Sequence, residues 1–193
     1  MTRARILKVA RTEFGQNGYS GTTTKAIAEG ADLTIGALYY YFPTKHDLFL
    51  TVYKDVFENV TEKFETATDG VDGLAAKICA IMDVVVQMNV DDPSLATFAS
   101  VAPIEIHRHE GLAAQTRRES RALHRLFEKM IASAPEELAP DTTPEDVVTL
   151  LMAMMAGLSQ MGATASRATH RQAADAFKKL LHGHLLEGTG VRS

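Results

Sequence analysis

The sequence predicts an all-α protein in which a small three-helix head, residues 1–48, precedes a larger helical body, residues 49–193. Two observations favour this fold class. No run of alternating apolar and polar residues is bounded by turn signals, so the chain offers no candidate strand. Apolar residues recur instead three and four positions apart, which places them on one face of a helix.

The composition is that of a globular chain with a substantial core. Of the 193 residues, 46% are hydrophobic and 23% are charged,. The single cysteine, Cys79, excludes an internal disulfide and fits a reducing compartment,. No apolar run approaches the ~20 residues of a membrane span, and the first residues do not resemble a signal peptide. We therefore expect a cytoplasmic protein with no membrane partner.

Two helices are predicted in the first thirty residues. The first runs from about Arg3 to Gln16, and Asn17-Gly18 ends it,. Residues 22–24 are threonines, which supply a cap for the second helix,. The apolar face of the first helix consists of Ile6, Leu7, Ala10 and Phe14.

Two further helix starts follow at once. Thr34 caps a third helix, which ends by Phe42 because Pro43 disfavours helical backbone in the residue before it,. Thr44 caps a fourth helix, with Asp47 three residues on in a capping-box arrangement,. The second and third helices, joined by a tight turn, form a helix-turn-helix, which places its second helix in the major groove of DNA.

The third helix and the start of the fourth carry candidate DNA contacts. Gly36 and Ala37 are small enough to let the first turn of the third helix approach base edges closely. Three tyrosines follow at 39–41, and adjacent helical residues point about 100° apart, so we expect one to pack inward with Leu38 and Phe42 and at least one to reach DNA. Lys45 can hold a phosphate together with the free N–H groups of the fourth helix. The alternative is that the tyrosines are core aromatics and Lys45 a solvated charge.

The distribution of charge agrees with DNA binding by the head. The net charge of −4 by itself argues against a nucleic-acid partner. Residues 1–54, however, hold seven basic and four acidic side chains, a charge of +3, and the remainder holds thirteen basic and twenty acidic, a charge of −7. A basic head on an acidic body indicates which part would face DNA.

The segment from Arg5 to Tyr53, about a quarter of the chain, resembles the N-terminal head of TetR-family transcriptional regulators. The matching residues are Ala10, Phe14, Gly18-Tyr19, Thr23-Thr24, Ile27-Ala28, residues 38–42, Thr44-Lys45 and Leu48. The resemblance implies an all-helical homodimer whose two heads bind a double-stranded DNA operator. It also implies release of that operator when a small molecule enters the C-terminal body.

The resemblance also assigns individual contacts. By family position, the phosphate contacts would be Thr24, Tyr39 and Lys45. The residues at or near base edges would be Lys25, Thr34, Gly36, Ala37 and Tyr40. In the turn before the third helix this chain has Asp32 where family members usually have glycine. Aspartate tolerates a left-handed backbone better than most residues, so we expect the turn to form.

The body is predicted to contain five more helical segments. Pro103 should kink or end the second of these, and residues 134–142 should form a loop,. The segments run from about Asp72 to Met88, from the Asp92-Pro93 start onward, from Gly111 to Ser133, from the Thr143-Pro144-Glu145-Asp146 start onward, and from near Thr169 to before Gly188,.

Two functional surfaces are expected in the body. A cavity for a mostly apolar effector would be lined by Met82, Phe98, Phe127, Met152 and Met155, with His107 or Arg118 as a polar anchor; the alternative is that these methionines and aromatics are plain core. A cavity of about 300–1,000 Å³ would favour a ligand sensor, and a fully packed body would favour a ligand-independent regulator or activator.

The segment 147–161 is apolar almost all round and must be buried on more than one side,. With the last helix it would form a dimer interface containing Leu158, Phe177, Leu181 and Leu185; the alternative is packing within one subunit.

No catalytic, metal or cofactor set is expected. His107 and His109 are two residues apart, so on a helix they would face opposite sides and could not share one ion,. The chain has no nucleophile elbow, phosphate-binding glycine loop or paired histidine–carboxylate motif. The favoured interpretation is a ligand-responsive repressor, and a small-molecule or metal-binding enzyme is the least favoured alternative.

Overall fold

The computed structural model describes residues 2–183, and within that range all regular structure is helical, which confirms the all-α class. The predicted end of the last helix and Leu185 lie outside the described residues. The helices are α1 (Thr2–Gly21), α2 (Thr24–Gly30), α3 (Ile35–Tyr41), α4 (Lys45–Thr68), α5 (Leu74–Asp91), α6 (Pro93–Arg108), α7 (Glu110–Gln115), α8 (Arg117–Ala132), α9 (Pro144–Thr164) and α10 (Arg167–Leu181), with a short 3-10 helix at Pro135–Glu137.

Side-chain caps mark the starts of α2, α3, α4, α6, α9 and α10. Thr34 Oγ1 accepts a hydrogen bond from Ala37 N at 3.1 Å, and Thr44 Oγ1 accepts one from Asp47 N at 3.0 Å. At α9 the capping box is complete, because Thr143 N also donates to the Asp146 carboxylate at 2.8 Å. Each bond satisfies an N–H group that the first turn of a helix leaves without a partner.

Four features of the helices differ from the prediction. Helix α1 breaks at Gly18 (φ 68°, ψ 177°) but resumes to Gly21. The predicted helix 111–133 is interrupted at Thr116, whose buried hydroxyl donates to the Leu112 carbonyl at 2.9 Å. Helix α6 continues through Pro103, although proline cannot donate to the preceding turn,. Helix α10 starts earlier than predicted, because Ser166 rather than Thr169 is its cap.

The head has a continuous apolar core that extends into the body. Phe14 and Phe49 meet edge to face, with ring centroids 5.1 Å apart. Helix α4 runs without a break past residue 48, and the core of the head follows it to Val56. The body closes this core with Phe98 of α6 and Leu112 of α7, which are each 1% exposed. Helices α4 and α6 therefore join head and body.

A second core lies among α5, α8, α9 and α10. Ile81, Met82, Phe127 and Ile131 are each 1% exposed or less, and Phe64 at the far end of α4 packs against Phe127 with ring centroids 6.3 Å apart. This core occupies the part of the body farthest along α4 from the head.

The turn between α2 and α3 has the left-handed backbone expected at Asp32, where φ is 50°. We expect Asp32→Val to lower the free energy of unfolding by about 1–2 kcal/mol, because a branched side chain clashes with its own backbone in this conformation. Asp32→Asn is the matched control: it also removes the exposed ion pair with Arg5 (3.6 Å) but tolerates the backbone. Urea unfolding measures both, and equal stability of the two variants would contradict this account of the turn.

Candidate DNA-binding head and ligand cavity

Helix α3 presents its tyrosines to solvent. Tyr39, Tyr40 and Tyr41 are 44%, 85% and 40% exposed, whereas Leu38 is buried in the head. The tyrosines are therefore not core aromatics. Ile35, at the first turn of α3, is also 44% exposed and was missed by the sequence reasoning. Its position directly after the Thr34 cap was the available signal, and an apolar side chain there can contact a thymine methyl group.

Two of the predicted phosphate contacts lie together. The hydroxyl groups of Thr24 and Tyr39 are 3.2 Å apart, at the point where the start of α2 meets α3. Lys25, next to Thr24, is exposed, and its Nζ lies 3.8 Å from Glu29 Oε1. The cap of α3 is Thr34, and its first turn contains Gly36 and Ala37.

Lys45 has a structural partner that the sequence did not reveal. Its ammonium donates to the carbonyl oxygens of Tyr19 at 2.8 Å and Thr22 at 3.0 Å, and lies 4.6 Å from the centroid of the Tyr19 ring. An ammonium has three donors, so one is left for a phosphate oxygen. Lys45 is therefore held at the junction of α1 and α4 rather than solvated, and its contact with DNA stays a prediction.

The body contains a cavity of about 170 Å³, smaller than the range expected for an effector site,. It lies among α4, α5, α6, α8, α9 and α10. The lining is apolar except for Asn89, Ser159 and His170, and comprises Phe57, Val60, Phe64, Val85, Met88, Asn89, Leu95, Ala96, Ala99, Pro103, Leu123, Met152, Met155, Ala156, Leu158, Ser159 and His170.

The structure brings only some of the predicted effector contacts to this cavity. Met152 and Met155 line it. Met82, Phe98 and Phe127 are packed in the two cores and are absent from the lining. His107 is exposed at the end of α6, and the exposed Arg118 borders a separate surface groove with Glu58 and Glu62. Helical spacing predicts the face on which each residue lies but not which helix packs across from it.

The polar groups of the cavity wall were not predicted. Asn89 Nδ2 and His170 Nδ1 are 3.2 Å apart, and both side chains are buried. Burial lowers the pKa of His170, and the nearby Leu158 backbone raises it by less, so the imidazole is neutral at pH 7. An asparagine inside the apolar run VVVQMNV was the available signal for this pair.

The apolar surface of α9 differs from the predicted dimer contacts. Leu158 and Phe177 are 4% and 5% exposed, because they point into their own subunit, and Leu181 packs partly against the same core. Leu150, 53% exposed, and Gly157, with open space around it, lie on the other side of α9. Because 147–161 is apolar all round, its pattern could not show which side faces inward.

Helix α9 is long and apolar enough to cross a membrane by length and composition alone. It packs against α5, α6, α8 and α10, however, and buries Val148, Leu151, Met155 and Leu158 among them. An apolar helix face that is left exposed, as at Leu150, is typical of a subunit interface,.

Helix α6 is bonded to the head at both ends. At its start, Arg11 forms an ion pair with Asp92 and donates to Ser94 Oγ at 2.8 Å. Near its end, the buried Glu105 carboxylate accepts a hydrogen bond from Tyr19 N at 2.7 Å, just after the Gly18 break. Glu105 thus anchors α1. Among residues 2–183, no group of three or more His, Cys, Asp or Glu side chains is placed to hold a metal ion.

The exposed α3, the caps of α2 and α3 and the left-handed turn between them define a helix-turn-helix DNA-binding head. Residues 6–52 match the family model of bacterial regulatory proteins, tetR family. The head of the chain is therefore similar to that of TetR-family regulators over these residues, about a quarter of the chain, and the curated relatives that match it are named as transcriptional regulators.

Curated relatives are similar over the head. The QacR regulator of Staphylococcus aureus is 46% identical over 48 residues, which are 25% of this chain and 26% of QacR. The AcrR regulator of Shigella flexneri is 41% identical over 61 residues, which are 32% of this chain and 28% of AcrR. These matches thus span less than a third of either relative.

Solved structures share the whole fold. The MbdR regulator from Azoarcus sp. CIB superposes with a TM-score of 0.79 at 19% identity and covers 97% of this chain and 100% of that one. GusR of Salmonella enterica gives a TM-score of 0.73 at 24% identity, with 95% of each chain covered. At this identity the likeness establishes the fold of the body and not its ligand.

Proposed function

We propose that the protein is a homodimeric, cytoplasmic transcriptional repressor that leaves its operator when a small, mostly apolar molecule enters the cavity. The observation that carries the proposal is that α4 and α6 line the cavity and also hold the DNA-binding head. A change in the cavity therefore has a route to the head, in which α1 packs against α4, α6 and α2, and α2 packs against α3.

Operator binding is assigned to the exposed face of α3. Tyr40 is the most exposed of the three tyrosines, and the small residues Gly36 and Ala37 let the first turn of α3, which also carries the exposed Ile35, approach base edges,. Thr24, Tyr39 and Lys45 flank that face and supply phosphate contacts that set its position on the duplex. Lys25 and Thr34 complete the surface.

Dimerisation is assigned to the open side of α9 together with α10. Leu150 and Gly157 on α9, and Leu180 on α10, which is 49% exposed, present an apolar surface to a second copy. Two-fold operators call for such a dimer, because each head reads one half-site. Leu181 and Leu185 extend this assignment toward the end of the chain.

Release of DNA is assigned to movement of α4 and α6. A cavity of about 170 Å³ holds only a small molecule unless its walls separate. Separation would shift α6, which is bonded to α1 through Glu105 and Asp92, and α4, which starts at Lys45. The effector must bind the spread dimer more tightly than the DNA-bound one.

Two relatives support the direction of this proposal by their names. KstR of Mycolicibacterium smegmatis, 35% identical over 65 residues, is described as a transcriptional repressor. FadR of Bacillus subtilis, 15% identical with a TM-score of 0.75, was solved in complex with stearoyl-CoA. A ligand-independent regulator or activator is the second candidate, and the small volume of the cavity is the observation that favours it.

Selection of bound sequences from a random pool of duplex DNA tests the first half of the proposal. We expect an inverted repeat whose half-site centres are about one turn of DNA, or a multiple of it, apart. Footprinting should then place one head on each half-site. Recovery of sequences with no shared motif would contradict an operator-binding function.

A further inference from the structure

Two buried polar side chains in the cavity wall have unused hydrogen-bonding capacity. Asn89 on α5 is 5% exposed and His170 on α10 is 2% exposed, and they contact each other through Asn89 Nδ2 and His170 Nδ1 at 3.2 Å. Asn89 Oδ1 and His170 Nε2 are buried without a hydrogen-bond partner. Leaving such groups unpaired is costly, so their presence beside a cavity points to a ligand.

The two atoms without a partner supply one donor and one acceptor, whichever way the amide is oriented. If Asn89 Nδ2 donates to His170 Nδ1, then Oδ1 remains as an acceptor and the Nε2–H as a donor. If the amide is flipped, His170 Nδ1–H donates to Oδ1, which leaves the amide N–H as a donor and Nε2 as an acceptor. A ligand group that both donates and accepts satisfies either arrangement.

The surroundings of the pair exclude an ionic ligand. No charged side chain is among the described residues that line the cavity, and Phe57, Val60, Leu95 and Met155 make its walls apolar. An ion placed there would lose its hydration without gaining a counter-charge. The Asn89 side chain packs closely against Gly162, because a Cβ added at Gly162 would come within 3.3 Å of Asn89 Cγ.

We propose that this cavity binds an uncharged molecule about the size of one substituted aromatic ring, with an apolar body and one hydroxyl or primary amide group held by Asn89 and His170. The size follows from the volume of about 170 Å³, since an apolar cavity of about 150 Å³ holds benzene. The inference rests on the proposed function in taking this cavity as the effector site, and it adds the chemistry of the effector.

Calorimetric titration of the full chain without DNA tests the pair, with benzyl alcohol and toluene as probes. For each variant we compare the ratio of the affinity for benzyl alcohol to the affinity for toluene. Because the two probes differ in hydrophobicity by the same amount in every variant, that difference cancels when the ratios of two variants are compared. Relative to wild type, Asn89→Leu should shift this ratio toward toluene by roughly tenfold. Benzylammonium, the charged analogue, should show no binding.

Two further variants keep the test decisive. Ser159→Ala removes another cavity hydroxyl and should leave the ratio unchanged, while His170→Gln retains a donor and an acceptor and should preserve at least part of the preference. Melting temperatures identify any variant that fails to fold. A ratio unaffected by Asn89→Leu, a Ser159→Ala shift as large as the Asn89→Leu shift, or no binding of either neutral probe would overturn the proposal.

The result for the Asn89–His170 pair can be distinguished from the result for ligand control of DNA binding. A ratio that shifts as expected, with benzyl alcohol leaving operator affinity unchanged, would uphold the polar pair and contradict ligand control of DNA binding. Operator release by other compounds, together with an unshifted ratio, would uphold ligand control and overturn the pair.

Discussion

Gly157→Glu is expected to convert the protein into a monomer that no longer binds its operator. A Cβ added at Gly157 meets no atom within 4 Å apart from the backbone of its own helix, so we expect the substitution to leave folding undisturbed. In the proposed dimer, however, the carboxylate would lie unpaired beside Leu150 in an apolar seam, at a cost of several kcal/mol. Loss of the second head removes the avidity of two linked half-sites, so operator affinity should fall on the order of 100-fold or more.

Sedimentation and operator titration measure the two effects together. Ala114→Glu on α7 is the matched control, because it adds the same charge at an exposed position on a helix outside the proposed interface. The control should remain dimeric and bind as wild type does. If Gly157→Glu also remained dimeric with an unchanged melting temperature, the interface would have to lie elsewhere on the molecule.

Tyr40→Ala and Lys45→Ala are expected to weaken DNA binding in different ways. Tyr40 is 85% exposed and makes its one ring contact with Tyr41, so its loss should alter which operator is preferred without changing stability,. Lys45→Ala should weaken binding to all sequences alike and reduce the salt dependence by about one charge.

Controls separate contact from folding in both cases. Tyr40→Phe keeps the ring and tests the hydroxyl alone. Lys45→Arg keeps the charge, whereas Lys45→Ala also removes the hydrogen bonds to the Tyr19 and Thr22 carbonyls and should lower the melting temperature. Binding at wild-type affinity, preference and salt dependence in both alanine variants would show that α3 and Lys45 are not the contact surface.

The head was predictable from sequence because its determinants are local. A threonine cap, a proline after Phe42 and an aspartate able to adopt φ 50° each act within a few residues. The Thr116 break was not predictable, since no glycine or proline marks it.

The sites of the body depend on tertiary contacts that no local pattern records. The all-apolar segment 147–161 gave no indication that Leu158 points inward and Gly157 outward. Asn89 and His170 are 81 residues apart and meet only because α5 and α10 pack together. Met82, Phe98 and Phe127 are of the same residue types as those that line the cavity, but they lie in the two cores.

Operator release by a bound ligand tests the central claim most directly. The ligand is the compound that raises the melting temperature most in a screen of apolar acids, aromatics and cationic drugs, and the readout is operator affinity by fluorescence anisotropy. We expect wild type to lose about 5–150-fold in operator affinity at saturating ligand. Ala99→Phe, which fills the cavity from α6, should show no response whatever its starting affinity. A ligand that stabilises the wild-type protein strongly and leaves its operator affinity unchanged would contradict the account.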